Sequence, residues 1–208
     1  TRFGGEKQAR LIALMQLTLP GLPVIYYGDE IGMNNVPIRF EEIQDKSVFS
    51  HGNDESVGRD PERTPMQWTA GQNAGFSTAK PWLPVNPACQ NVNVESEQNE
   101  PDSFLALYRR LLTLRSRYEI LRTGEYEPLS DTDNDIFAYA RWIGREQHVF
   151  VALNFGDTKH RVTLPHTGSI LCATNPTDYP EIADDGSVEL RPYEGVLIGC
   201  SEHRLSIE

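Results

Sequence analysis

No run in the 208-residue sequence approaches the ~20 consecutive apolar residues that a membrane-spanning helix requires, and its first residues lack the basic-then-apolar pattern of a secretion signal. No membrane partner is expected. Residue 1 is Thr rather than Met, so the natural N-terminus is expected to lie upstream. Cysteine is scarce as well: Cys89, Cys172 and Cys200 stand far apart with no CxxC spacing. That argues against a zinc site, and the odd number argues against a fully paired disulfide framework. The thiols read as small hydrophobes, and the expected setting is reducing and cytoplasmic. An excess of positive charge is also missing. The formal charge is −11, with Lys and Arg scattered among the acids, so a phosphate backbone would be repelled and nucleic acid is not an expected partner. The five histidines, at 51, 148, 160, 166 and 203, form no ligand cluster. Neither a metal nor a cofactor is expected.

With 38% apolar residues the chain can bury a core as one large domain or two small ones. From Glu6 to Leu19, residues Leu11, Ile12, Leu14, Met15 and Leu19 recur at near-helical spacing until Pro20-Gly21 ends the run, which predicts an amphipathic helix. The β-branched and aromatic stretch Leu22 to Tyr27, closed by Gly28, predicts a buried strand, and the pair suggests a parallel α/β unit. Residues 29 to about 100 show no sustained period and are rich in Pro, Gly, Asn and Asp. A segment of that kind is where function concentrates. A second helix is predicted where Phe104, Leu107, Tyr108, Leu111 and Leu112 form a stripe, capped by Asp102 or Ser103 and ended by Gly124. Short alternating runs follow at 136–142, 148–154, 161–164, 169–173, 187–191 and 195–200, predicting a small antiparallel sandwich. The expected domains are 1–122 and 123–208.

Three segments carry a resemblance. They are Leu19 to Met33 (LPGLPVIYYGDEIGM), Gly58 to Trp68 (GRDPERTPMQW) with Asn73-Ala74-Gly75-Phe76, and Phe104 to Arg122 running into the strands. Together they resemble glycoside hydrolase family thirteen, the α-amylase superfamily, in its α-glucosidase and oligo-1,6-glucosidase branch. The resemblance implies an α/β plus all-β fold, the last part of a (β/α)8 TIM barrel followed by a C-terminal antiparallel β-sandwich. It implies a retaining α-glucosidase acting on terminal α-linked glucose of an oligosaccharide or disaccharide. It also implies that the nucleophile, the acid/base and the stabilising Asp lie on earlier barrel strands, because Thr1 to Gly4 resembles the stretch just after the last of them. Retaining hydrolysis needs two carboxyl groups about 5 Å apart, so no catalytic residue is expected in this chain and the remainder of the barrel is an expected partner.

Among individual residues, Asp29-Glu30 is the one adjacent carboxylate pair at the end of the predicted strand, where barrel enzymes build their sites. Neighbours on a strand face opposite ways, so a hydrogen-bonded structural role is expected for the pair. By resemblance, Arg63 matches the second arginine of the branch motif, which binds the terminal glucose. A planar guanidinium offers several fixed donors suited to vicinal hydroxyls. Its competing role is a loop-stabilising ion pair with Asp60 or Glu62, and Arg59 is expected to be structural. Trp68, Phe76 and Trp82 are expected to anchor the long loop rather than to stack on sugar. Three alternatives remain open. In trehalose synthases the segment equivalent to Asn34 to Val57 is short. In sucrose isomerases a long loop is kept, and the distinguishing residues would lie upstream. The third is a non-catalytic carbohydrate-binding module presenting Tyr126, Tyr139, Trp142 and Tyr193.

Overall fold

A computed structural model describes residues 4–129, 135–144, 147–163, 168–175 and 177–201. Thr1–Phe3, Leu164, His166, His203 and the side chain of Cys200 lie outside the described residues. The chain divides into two compact units, one formed by Ile25–Ala106 and the other by the described residues of Phe3–Val24 and Leu107–Glu208. Its helices are α1 (Glu6–Thr18), α2 (Lys46–Ser50), α3 (Val94–Glu97), α4 (Phe104–Arg117) and α5 (Ile120–Thr123). Its strands are β1 (Glu125–Pro128), β2 (Ile136–Ile143), β3 (Gln147–Asn154), β4 (His160–Thr163), β5 (Ser169–Ala173), β6 (Ser187–Leu190) and β7 (Gly195–Ser201).

In the unit that contains the strands, pairing among the described residues is antiparallel, in a five-stranded sheet of order β1-β2-β3-β7-β5 and a two-stranded sheet β4-β6. Alternation along β2 sends Ile136, Ala138 and Ala140 to one face, where they share an apolar cluster with Phe150, Val196 and Ile198 of the large sheet and Val162, Val188 and Leu190 of the small one. The intervening residues Tyr139 and Arg141 are also fully buried. On α1, Leu11, Leu14 and Leu17 recur every third residue and are fully buried. A Cβ placed on Gly195 of β7 would come within 2.8 Å of Leu11 and 2.9 Å of Leu14, so glycine permits the close approach of α1 to the sheet.

Two arginines close the C-terminal end of α1, whose last carbonyls have no partner within the helix. Arg141 donates to Thr18 O (2.8 Å) and Gly124 O (2.7 Å), and Arg115 donates to Leu17 O (2.9 Å), Leu121 O (2.8 Å) and Gly21 O (2.6 Å). Positive charge is favoured at that negative dipole end. Helix α5 stops at Gly124, where a Cβ would lie 2.5 Å from Ile120 O.

The other unit is built from short 3₁₀ turns and the small helices α2 and α3 around a cluster of Ile31, Met66 and Leu105, with Met33 and Val94 against it. The strand predicted over Leu22 to Gly28 is not formed. That stretch pairs with no described strand, and Leu22 and Val24 are 91% and 73% exposed. A parallel strand is stabilised by neighbours on both sides, and the described strands of this chain instead pair with one another. Among the described residues no helix is long and apolar enough to cross a membrane.

Candidate functional site

The segment from Gly58 to Trp68 is anchored by its own middle. Thr64, Met66 and Gln67 are buried at 1%, 6% and 0% exposure, and Gln67 Nε2 donates to Val92 O. Arg63, at the head of the run, keeps its side chain 48% exposed. A 3₁₀ turn over Asp60–Glu62 delivers it, with Arg63 N–H donating to Asp60 O at 3.0 Å. Tyr27 reaches the same backbone, its hydroxyl donating to Thr64 O at 3.0 Å. Burial first, and neighbouring Tyr26 second, push the Tyr27 hydroxyl up to about 12.

Two carboxylates hold this loop reciprocally. Asp60, only 4% exposed, accepts the main-chain N–H groups of Gln44 (2.6 Å) and Asp45 (2.8 Å) on Oδ2. Asp45 answers by accepting Arg59 N–H on its own Oδ2 at 3.0 Å, while Oδ1 caps α2 through Ser47 N–H (3.0 Å) and Ser47 Oγ (2.7 Å). Arg63 Nη1 stands 3.9 Å from Asp45 Oδ2. The Ser47 main-chain N–H, then its hydroxyl, then Arg59 N–H, with Arg63 adding its charge, hold the Asp45 carboxyl down at about 2. Arg63 thus meets Asp45 rather than the expected Asp60, because the Asp60 carboxylate is directed at backbone amides. Arg59 is exposed, and its main chain enters the network.

Asp29 and Glu30 lie in a 3₁₀ turn rather than at a strand end, and each closes the turn by accepting a main-chain N–H: Tyr26 N–H at Asp29 Oδ2 (3.1 Å) and Gly28 N–H at Glu30 Oε2 (2.7 Å). Hydrogen bonds of the kind expected for them are present, although the strand argument behind that expectation does not apply. Trp68, Phe76 and Trp82 are 49%, 51% and 80% exposed and do not fill the unit's core. Instead the loop is closed by main chain: Trp68 N–H and Thr69 N–H both donate to Ala74 O (2.9 and 3.0 Å), while Asn73, Ala74 and Gly75 take left-handed backbone angles in succession. Tyr139, considered as a surface aromatic for sugar, is buried completely. Cys89 and Cys172 are buried and free, and burial pushes the Cys172 thiol up to about 11. No group of three or more potential metal ligands occurs among the described residues.

Sequence pattern alone does not single out Asp45 or Tyr27 as site residues. The Asp45-Lys46-Ser47 order before Val48 is a helix-capping signal, which finds the cap but not the arginine. Tyr27 falls in the run predicted as a strand.

The sequence profile of the alpha amylase catalytic domain matches residues 1–124. The chain belongs to the α-amylase family. Among curated members it is 35% identical to the probable oligo-1,6-glucosidase 2 of Bacillus subtilis, over 93% of this chain and 38% of that protein. It is 33% identical to the oligo-1,6-glucosidase of Parageobacillus thermoglucosidasius, over 93% of this chain and 39% of that one. Among solved α-amylase family structures, the trehalulose synthase MutB of Pseudomonas mesoacidophila superposes with a TM-score of 0.82 at 31% identity, covering 95% of this chain and 40% of that chain. An isomaltulose synthase mutant of Erwinia rhapontici in complex with sucrose superposes with a TM-score of 0.79 at 28% identity, covering 93% and 38%. The chain thus spans about two fifths of the length of the relatives it matches.

Proposed function

We propose that this chain works as the C-terminal part of a retaining α-glucosidase that removes terminal α-linked glucose from oligosaccharides. The observation that carries the reading is Arg63, half-exposed at the head of the buried Thr64–Gln67 run and within reach of the Asp45 carboxylate. Its guanidinium would donate to hydroxyls of the terminal glucose. The two carboxyl groups of the retaining reaction would come from the remainder of the barrel. In this reading residues 1–122 complete the (β/α)8 barrel and 123–208 form the C-terminal sandwich, whose two sheets share one apolar cluster. Buried, unpaired Cys89 and Cys172 fit a reducing, cytoplasmic setting.

Names of the curated relatives, oligo-1,6-glucosidase and glucan 1,6-alpha-glucosidase, favour an α-1,6 linkage. Similarity to trehalulose and isomaltulose synthases supports a second reading, isomerisation of sucrose. Incubating the full-length parent separately with isomaltose, maltose and sucrose, and separating the products, tests both. Glucose release from isomaltose supports hydrolysis. A reducing disaccharide formed from sucrose supports the second reading, and no turnover of any of the three opposes both.

A further inference from the structure

The arginine assigned to substrate has a long, half-exposed side chain, and such a chain samples many rotamers unless a neighbour restricts it. Most exposed ion pairs restrict little, because both partners move. Asp45 is different in kind. Its side chain is only 14% exposed, its Oδ1 is fixed by Ser47 N–H and Ser47 Oγ, and its Oδ2 is fixed by Arg59 N–H. Its own main-chain N–H is held by buried Asp60. The carboxylate is therefore set in place before Arg63 meets it, 3.9 Å away. Meanwhile Tyr27 holds the carbonyl of Thr64, next to Arg63 in the chain.

We propose that Asp45 is a positioning residue, which sets the Arg63 guanidinium for the sugar and so couples the Asn34 to Val57 segment to substrate recognition. This rests on the reading of Arg63 as the glucose-binding residue. Asp45 touches no substrate itself. Its side chain orients the group that does, and the orientation of fixed donors decides how much of a charged hydrogen bond reaches the transition state.

Steady-state kinetics of the full-length parent on nitrophenyl α-glucoside test it, with wild type, Arg63→Ala, Asp45→Asn and the double variant measured together. Asp45→Asn is expected to lower kcat/KM roughly three- to tenfold, and to add no further loss in the Arg63→Ala background, the coupling expected of residues acting through one contact. Should the Asn variant fold poorly, Asp45→Ser keeps a capping oxygen for Ser47 N–H and is expected to behave the same way. Wild-type kinetics in Asp45→Asn overturn the proposal. So does an undiminished loss in the double variant, which would show an effect on the fold independent of the arginine. If Arg63→Ala itself is wild-type, the glucose-binding reading fails and the positioning role falls with it. That outcome is told apart by the single Arg63 variant alone.

Discussion

Arg141 Nη1 donates to the carbonyl oxygen of Thr18 at 2.8 Å, joining residues 123 positions apart in the chain. The guanidinium is fully buried and its partners are main-chain carbonyls. Such a cation is tolerated because several carbonyl dipoles at a helix end replace its hydration. Replacing Arg141 with Leu is expected to destabilise the sheet unit by about 2–4 kcal/mol, since each charged hydrogen bond is worth about 1.5–3 kcal/mol and the carbonyls of Thr18 and Gly124 would be left without this donor. A thermal unfolding midpoint within a degree of wild type would show that the carbonyls find other donors.

Beside it, Thr18 Oγ1 and Tyr139 Oη lie 2.6 Å apart in the same buried pocket. Tyr139→Phe is expected to cost about 1–2 kcal/mol, because Thr18 Oγ1 still has the carbonyl of Leu14 as acceptor at 2.6 Å. Burial raises the Tyr139 hydroxyl well above the usual tyrosine range. An ultraviolet titration comparing wild type with Tyr139→Phe should then show no difference near pH ~10, where exposed tyrosines ionise. A missing tyrosine at that pH would mean that Tyr139 is in contact with water.

Amide hydrogen exchange should separate paired from unpaired backbone. Strong protection is expected across Ile136 to Asn154, where β2 pairs with β1 and β3, and β3 also pairs with β7. Residues 22–25 form no ladder and should exchange quickly in the chain as it stands. Helix α1 should follow the sheet, because Leu11 and Leu14 pack at Gly195. Equal protection at Val24 to Tyr27 would require strands from elsewhere to pair with them.

Hydrolysis of nitrophenyl α-glucoside by residues 1–208 alone is expected to stay at the level of a contaminant control, the retaining carboxylates being assigned to the rest of the barrel. In the full-length parent, Arg63→Ala should cost ~1.5–3 kcal/mol of transition-state binding, roughly one to two decades in kcat/KM. Arg63→Lys should recover little, since an ammonium lacks the fork geometry. Turnover by the isolated chain that is lost on changing Asp29 or Glu30 would reassign the chemistry.

The pH dependence of the Arg63 loop follows from Asp45. Its carboxyl is held at about 2 against an ordinary 3.8, so the ionised form is favoured by folding. That contribution is complete above the ordinary value and is lost as pH falls through about 2. The groups facing Asp45 are Ser47, Arg59 N–H, Arg63 and, at its main chain, Asp60. Amide protection of Ser47 and Arg59 should fall over that acid window in wild type. A flat profile, or one shared by Asp45→Asn, would assign the loop's acid sensitivity to another group.

Local pattern was enough for the elements whose cause is local. The helix predicted from Glu6 to Leu19 appears over Glu6–Thr18, and the stripe beginning at Phe104 appears as Phe104–Arg117, because side chains three and four apart share a face whatever surrounds them; the predicted end at Gly124 belongs instead to the separate α5. Alternation likewise placed the run at Ile136, seen as Ile136–Ile143. The branch motif was also legible in the sequence itself, and with it the candidate Arg63. Tertiary structure decided what depends on chain path. Leu22 to Tyr27 has the composition of a buried strand, yet it pairs with no described strand, because a strand is defined by its neighbours and not by its own residues. Arg141 reads in sequence as one more charged residue on an alternating strand, and only the approach of α1 brings the Thr18 carbonyl that allows its burial. Asp45 reads as a helix cap, and only the fold of the long loop puts its second carboxylate oxygen beside Arg59 N–H and Arg63, since an electrostatic contact between distant residues is set by where the backbone carries them.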